Sequence, residues 1–364
     1  MRGRLIGGIA ISLIALSLGT SSETSAQTID RMTLREKVGQ LVMFSVSGPR
    51  LTDHERDEMR RNHLGSVILF ERNYRDKAQL ERLTTQIQAA ARRGTDPSIG
   101  ALIAVDQEGG IVKRFDDMPP WYSAPEMGSR GRSFTADQGS KTGRALRSAS
   151  INVDLAPVAD LDIPPEHVMR DRSFGSRPKR VGSLVAAFGS GLQEHRVAAA
   201  AKHFPGLGGA TRDTDYGPSY VSRSKRKLRR ADRVPFERAV GARFGMVMVS
   251  HAMYLNDGGW IPASMSPHIV KNRLRRDLGY EGVAISDALE AVGWRFDGNI
   301  AKACKATISA GIDLALITGG VDAAGRCADS IRRAVVNEKL SVRRIDEAVA
   351  RVLALKAWVG VGER

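Results

Sequence analysis

Lys202, His203, Asp213 and Asp215 fall within one short stretch, residues 201–217, which reads AKHFPGLGGATRDTDYG. Its Gly206, Gly208 and Gly209 let the backbone turn sharply and approach a ligand closely. The apolar run before it, residues 197–201, reads as a buried strand. A strand that ends in polar residues and opens into a Gly-rich loop is a common seat of chemistry. Further groups of the same kind lie elsewhere along the chain: Asp106 with Arg114, then Arg172, His251 and Asp287. Each has a plain structural alternative. Asp106 and Asp287 could cap turns, Arg172 could form a loop salt bridge, and His251 could be a satisfied core histidine.

Carboxylates and cations around a Gly-rich loop suit a neutral, polyhydroxylated ligand, because Asp accepts from hydroxyls while Arg and Lys donate to them. Hydrolysis of a glycosidic bond needs one carboxylate at the anomeric carbon and one acid at the leaving oxygen. Asp287 and the Asp213/Asp215 pair are the available groups. Other chemistries lack their motifs. There is no Gly-x-x-x-x-Gly-Lys-Ser/Thr loop for nucleotide phosphates, no Gly-x-Ser-x-Gly elbow, and no Cys/His spacing for a metal.

These residues must be brought together by the elements between them. Apolar runs at 41–45, 66–70, 102–105, 151–156, 197–201, 246–250, 283–286 and 314–318 read as strands. Segments of helical periodicity separate most of them, at 77–93, 137–149, 181–195, 231–244, 300–310 and 323–337, and another closes the chain at 342–359. Thr33 with Glu36 has capping-box spacing, and Ser341 is placed to cap the last helix. Short buried runs alternating with helices predict an α/β fold with a parallel sheet, and eight such units predict a single-domain (β/α)8 TIM-type barrel. A doubly wound open sheet is the runner-up, weakened by the missing dinucleotide Gly pattern after the first strand. In a barrel, Asp106, Asp160, Lys202 with His203, His251 and Asp287 all stand at the ends of strands and share one mouth.

The chain has 364 residues, 42% hydrophobic and 5% aromatic, with a formal charge of +15. A sizeable core is therefore expected, and a β-module built on stacking faces is not. The excess of Arg is scattered, and no nucleic-acid-binding signature accompanies it, so nucleic acid is not expected as a partner. The basic runs at 223–230 and 271–276 read as solvated helix faces. Residues 1–27 combine Arg2 and Arg4, an apolar run and a small-residue site at 24–26, the pattern of an export signal. The expected mature chain is 28–364, periplasmic or secreted, without stable membrane insertion. Cys304 and Cys327 could pair in such a compartment.

The segments MTLREKVGQLVM, VDQEGGIVKRF, INVDLAPVADLD, DRSFGSRP, AKHFPG and LGYEGVAISDAL together resemble glycoside hydrolase family 3, and within it the single-domain β-N-acetylhexosaminidases. The resemblance covers nearly the whole mature chain. It implies a TIM-type barrel, a retaining mechanism and no cofactor, and together with export it points to an oligosaccharide or muropeptide substrate that ends in β-linked N-acetylhexosamine; a monomer is expected. It makes Asp287 the nucleophile. Asp106, Arg114, Arg172, Lys202, His203 and, by motif position, His251 become substrate contacts.

One departure stands out against that pattern. The family's loop reads KHFPGHG followed by Asp-Ser-His, whose His is the acid/base. Here Leu207 replaces the first His and the triplet is Asp213-Thr214-Asp215. An ordinary Asp has a pKa of about 3.9 and would be ionised near neutrality. Asp215 can donate a proton only if burial or a neighbouring carboxylate raises its pKa, and Asp213 is close enough in sequence to do so. An acidic pH optimum is then expected, and a carboxylate there favours hydrolysis over phosphorolysis. The altered loop leaves two alternatives open: a β-glucosidase-like specificity, or a catalytically weak sugar-binding homologue.

Overall fold

In the computed structural model, which describes residues 27–363, eight short strands run parallel and in chain order around a common core. They are β1 Val42–Ser45, β2 Ser66–Leu69, β3 Leu102–Val105, β4 Val153–Asp154, β5 Ala198–Phe204, β6 Met246–Val249, β7 Val283–Ser286 and β8 Ala315–Leu316. Each strand pairs with the next from β1 to β7, and β1 also pairs with β8. A parallel bridge between Ile285 and Leu314 joins β7 to β8 and closes the ring. Closure removes the doubly wound alternative and gives the expected barrel. Every residue of these strands is buried, which is why they read as unbroken apolar runs instead of alternating ones.

The expected helices form, with shifted ends. Lys77–Arg93 and Ile300–Ala310 match their expected bounds, whereas the helix expected from 137 begins at Arg132. Thr33 and Thr52 both build capping boxes, with Glu36 and Glu55, and Ser341 caps Val342–Trp358. β5 runs three residues beyond its apolar run. Val158 bridges to Lys202 on one side and Phe204 pairs with Val249 on the other, so backbone pairing carries two polar residues into the strand.

The reading of the basic runs as solvated faces holds for Lys225, Arg226, Lys227, Arg229, Arg230, Lys271 and Arg276, which are exposed, but not for Arg223, Arg273 and Arg275. Arg273 holds buried Asp257 at 2.7 Å, and Arg223 holds Asp232 at 2.9 Å. Arg275, Arg344 and Arg351 all converge on Asp313, which is fully buried. These five Arg, three of them in the two runs, therefore pair with buried carboxylates. Cys304 and Cys327 form a disulfide, with Cα atoms 5.7 Å apart, that ties Ile300–Ala310 to Gly320–Val336. No helix among the described residues is long and apolar enough to cross a membrane. The export-signal reading of residues 1–27 lies outside the described residues for all but its last position.

Candidate active site

A cavity of about 420 Å³ opens at the C-terminal ends of the strands, a size suited to a small ligand. Asp106, Arg114, Arg172, Lys202, His203, Asp213, Asp215 and Asp287 all line it. Ile68, Leu155, Met248 and Leu316 supply its apolar floor.

One wall is an ion-pair lattice. Lys202, buried in β5, reaches Asp106 at 2.6 Å and Glu108 at 2.7 Å. Arg172 grips both oxygens of Glu108, Nη2 at 2.7 Å and Nε at 3.0 Å, and lies 3.5 Å from Asp213. Arg114 bonds Glu71 at 2.6 Å and stands 3.8 Å from Asp106. Burial alone would push each of these groups toward neutrality. For Glu108 burial raises the pKa, but Arg172 and Lys202 outweigh it and hold the carboxyl down to about 2. Burial lowers Lys202, yet Asp106 and Glu108 leave it raised overall; Arg172 is likewise raised, chiefly by Glu108, against its own burial. Glu108, Lys202 and Arg172 are therefore held in their charged forms and offer fixed donors and acceptors to hydroxyl groups.

Glu108 was not among the residues singled out from sequence. Asp106 and Glu108 are two positions apart in extended chain, so they share a face, and that spacing was the available signal. Gln107 between them points the other way. It holds the loop by donating to the carbonyls of Phe115 and Pro119 and accepting from the Arg114 N–H.

His203 and His251 serve different surfaces. His203 Nδ1 lies 2.7 Å from Asp160, which also accepts from the backbone N–H groups of His203 and Leu207. Burial lowers the His203 pKa, but Asp160 and then Asp287 leave it raised, which favours its cationic form beside the cavity. His251 does not line the cavity. Its ring is buried between Ser264 Oγ at 2.7 Å and the Ala288 carbonyl at 3.0 Å. It buttresses the chain just after Asp287 instead of meeting the ligand directly, which corrects its expected role as a substrate contact.

Asp287 comes directly after β7 and accepts from the Ala288 N–H at 2.8 Å. Burial raises its pKa, but His203, His251 and the Ala288 N–H outweigh burial and leave it lowered. It is thus an anion poised at the cavity floor.

Asp215 stands in the opposite situation. Residues 210–221 fold back on themselves, with an Ala210–Val221 bridge and a Thr211 N–H to Tyr220 carbonyl bond of 3.1 Å. The tip is a 3-10 turn, Thr214–Tyr216, capped by Asp213, whose carboxylate accepts from the Asp215 N–H at 3.1 Å. Among the described residues no side chain donates to the Asp215 carboxyl. Loss of water around it, then the charge of Asp287, then that of Asp213, push its pKa up to about 6. Asp215 keeps substantial exposure as a residue, so water screens part of these repulsions. Asp213 was expected to be the repelling neighbour, and it does repel, but Asp287 contributes more.

The glycines of this loop do not approach a ligand as their sequence suggested. A Cβ on Gly208 would fall 1.8 Å from the Leu161 carbonyl oxygen, and Gly206 has φ +123°. They let the loop pack against the chain after β4, which keeps Asp160 within reach of Leu207.

Comparisons with known proteins agree with this architecture. The model for the glycosyl hydrolase family 3 N-terminal domain matches residues 33–355. A protein named beta-hexosaminidase from Nitrosospira multiformis is 32% identical over 78% of this chain and 81% of its own length. Among solved structures, a glycoside hydrolase family 3 β-N-acetylglucosaminidase from Paenibacillus sp. FPU-7 superposes with a TM-score of 0.86 and 31% identity, covering 91% of this chain. The chain spans 63% of that protein's length. NagZ from Neisseria gonorrhoeae, solved with N-trifluoroacetyl-D-glucosamine, superposes with a TM-score of 0.74 and 28% identity over 86% of this chain and 89% of its own.

Proposed function

This chain belongs to glycosyl hydrolase family 3, and from that premise we propose that it is a retaining β-N-acetylhexosaminidase in which Asp215 stands in for the histidine acid. The observation that carries the reading is the divergence of two carboxyls in one cavity, Asp287 lowered and Asp215 raised to about 6. Divergent pKa values mark the acid and the nucleophile.

In the first step the Asp287 carboxylate attacks the anomeric carbon. The glycosidic C–O bond breaks, and the proton on Asp215 passes to the leaving oxygen. The sugar is left as an ester of Asp287, and Asp215 is ionised. Ester formation removes the charge of Asp287, one of the causes that held the Asp215 pKa up. Asp215 still has Asp213 beside it and now acts as the base that takes a proton from water. The resulting hydroxide-like oxygen attacks the anomeric carbon, the ester breaks, and both carboxyls regain their starting states. Lys202, Asp106, Arg172 and Arg114 hold the sugar hydroxyls, while His203 keeps Asp287 ionised.

The substrate class is terminal β-linked GlcNAc on peptidoglycan or chitin fragments, in keeping with the names of the relatives. Export is supported by the pattern at residues 1–27 and by the Cys304–Cys327 disulfide, which suits an oxidising compartment. The decisive experiment is trapping with a 5-fluoro-N-acetylglucosaminyl fluoride and then peptide mass spectrometry. A stable adduct on the peptide carrying Asp287 is expected. Turnover of a GlcNAc disaccharide without any adduct there would overturn the assignment.

A further inference from the structure

A second cavity, of about 520 Å³, lies on the outer wall of the barrel between the helices Lys77–Arg93 and Arg132–Ser148. None of the residues that line it lines the catalytic cavity. Tyr74, Lys77, Asp117, Trp121, Lys141 and Arg144 supply its chemistry. Its shape is set from inside the fold. Buried Gln107 donates to the carbonyls of Phe115, Met118 and Pro119, and the Tyr74 ring packs on Phe115 with centroids 4.6 Å apart. The backbone N–H of Trp121 donates to Gln138, on the second helix, at 3.2 Å. The cavity is therefore held by fixed backbone, as preformed ligand sites are.

Three features of the lining point to a ligand. Lys113 Nζ lies 4.6 Å from the Trp121 ring centre, yet Trp121 is still 53% exposed, so its indole meets the cavity with a cation on one side only. Lys77 and Arg144 have no hydrogen-bond or ion-pair partner among the described residues, and Lys141 pairs only with Asp137, at 2.8 Å. Asp117 accepts from the Tyr74 hydroxyl at 2.7 Å and 2.8 Å, and its carboxylate has lone pairs left for a second donor.

Unpaired cations beside an aromatic face and a single carboxylate define the class of ligand. The C–H face of a pyranose packs on an indole, a carboxylate takes the Arg144 fork, and a ring hydroxyl donates to Asp117. A polyphosphate fits less well, because its several charges would meet Asp117 in the same cavity. We propose that this cavity is a second saccharide site, selective for a sugar that carries a carboxylate. The choice of a sugar over another monoanion rests on the hydrolase reading given above, since peptidoglycan fragments carry carboxylates on alternate sugars and on their peptides. The site stands on the barrel wall, so it holds an acidic part of the glycan separate from the sugars at the bond being cut.

The test is isothermal titration of N-acetylmuramic acid into the protein, with N-acetylglucosamine in excess so that the catalytic cavity is filled. Saturable binding is expected to persist. Arg144→Ala should weaken it by about tenfold or more, the scale of a charge-assisted hydrogen bond, and Arg144→Lys should recover part of the loss. Trp121→Ala should weaken it by about three- to tenfold. The methyl ester of the same sugar, which has no charge, should bind the unaltered protein about tenfold more weakly than the acid, a comparison that needs no variant. Both alanine variants should keep the unaltered melting temperature and kcat/KM on N-acetylglucosaminyl fluoride, which shows that the fold is intact. Absence of saturable binding, binding that neither substitution weakens, or an ester that binds as well as the acid would each overturn the proposal. Charge-selective binding by a protein that hydrolyses no GlcNAc substrate would support this site and remove the catalytic reading instead.

Discussion

On the β3–β5 side of the cavity, Lys202 lies between Asp106 and Glu108, and Arg172 lies between Glu108 and Asp213. Next to this lattice, on the loop after β5, Asp215 faces Asp287 and Asp213 with no donor of its own among the described residues. Both sides use carboxylates, and they lead to opposite proton states. Cations beside a buried carboxylate keep it ionised, as in Glu108 at about 2. Like charges beside a partly dried carboxyl keep its proton on, as in Asp215 at about 6. On the proposed reading, this difference is what lets Asp215 take the place of the family's histidine as an acid below neutrality. The paired Glu108 is held ionised, and the unpaired Asp215 is pushed up toward neutrality.

Changes that abolish the comparison have the largest effects. Asp287→Ala removes the proposed nucleophile and also one of the charges that raise Asp215. Its kcat is expected to fall by about 10⁴-fold or more in a steady-state disaccharide assay. Asp215→Asn removes only the acid. The disaccharide kcat/KM should drop by about 10²- to 10⁴-fold, while N-acetylglucosaminyl fluoride, which needs no proton at its leaving group, loses far less. Equal losses would assign Asp215 to binding and not to proton transfer.

Breaking the paired side acts on stability instead. Lys202→Met leaves Asp106 and Glu108 facing each other at a buried site, and chemical denaturation should register a loss of about 3–5 kcal/mol. A loss below about 1 kcal/mol would mean that Arg172 and water compensate.

The unpaired side has its own, smaller stability signature. The folded pKa of Asp215 lies near 6 against an unfolded value of 3.8, so the folded state holds this proton more tightly. Its contribution favours folding below the unfolded value, fades as pH rises, and opposes folding above about 6. Asp215→Asn should therefore raise the melting temperature slightly at pH 7.5 and leave it unchanged or lower at pH 4. Calorimetry at the two values checks the sign. Asp213→Asn takes away only the lesser of the two repulsions, so it should move the alkaline limb of the rate profile modestly toward lower pH.

The barrel could be read in the sequence because each of its strands is buried on both faces and bounded by polar turns. Where polar residues enter a strand, as Lys202 and His203 do in β5, hydrophobicity stops marking its end and only pairing with its neighbours reveals it. The cavity was legible for a related reason, since strand ends in a barrel share one mouth. Its electrostatics were less so. Glu108 completes the lattice through contacts with residues 64 and 94 positions away, and Asp160 fixes both His203 and Leu207 from another part of the barrel rim. His251 stood at a strand end like the others, yet its ring direction, which no spacing encodes, puts it behind Asp287. The glycines after Phe204 announced a close approach correctly but not its partner, which is the backbone at Leu161. The helix at Arg132–Ser148 starts earlier than its periodicity suggests because Gly131 introduces it without a side-chain cap, leaving no N-cap signal to read.

The proton on Asp215 is the central claim, and the pH dependence of kcat/KM for two substrates tests it most directly. With a β-linked GlcNAc disaccharide, kcat/KM is expected to fall tenfold per pH unit above about 6, as the Asp215 proton is lost. With N-acetylglucosaminyl fluoride, the same preparation should show no such limb, because its first step needs no acid. A disaccharide profile that stays flat to about pH 8, or a limb near 6 shared by both substrates, would contradict the account.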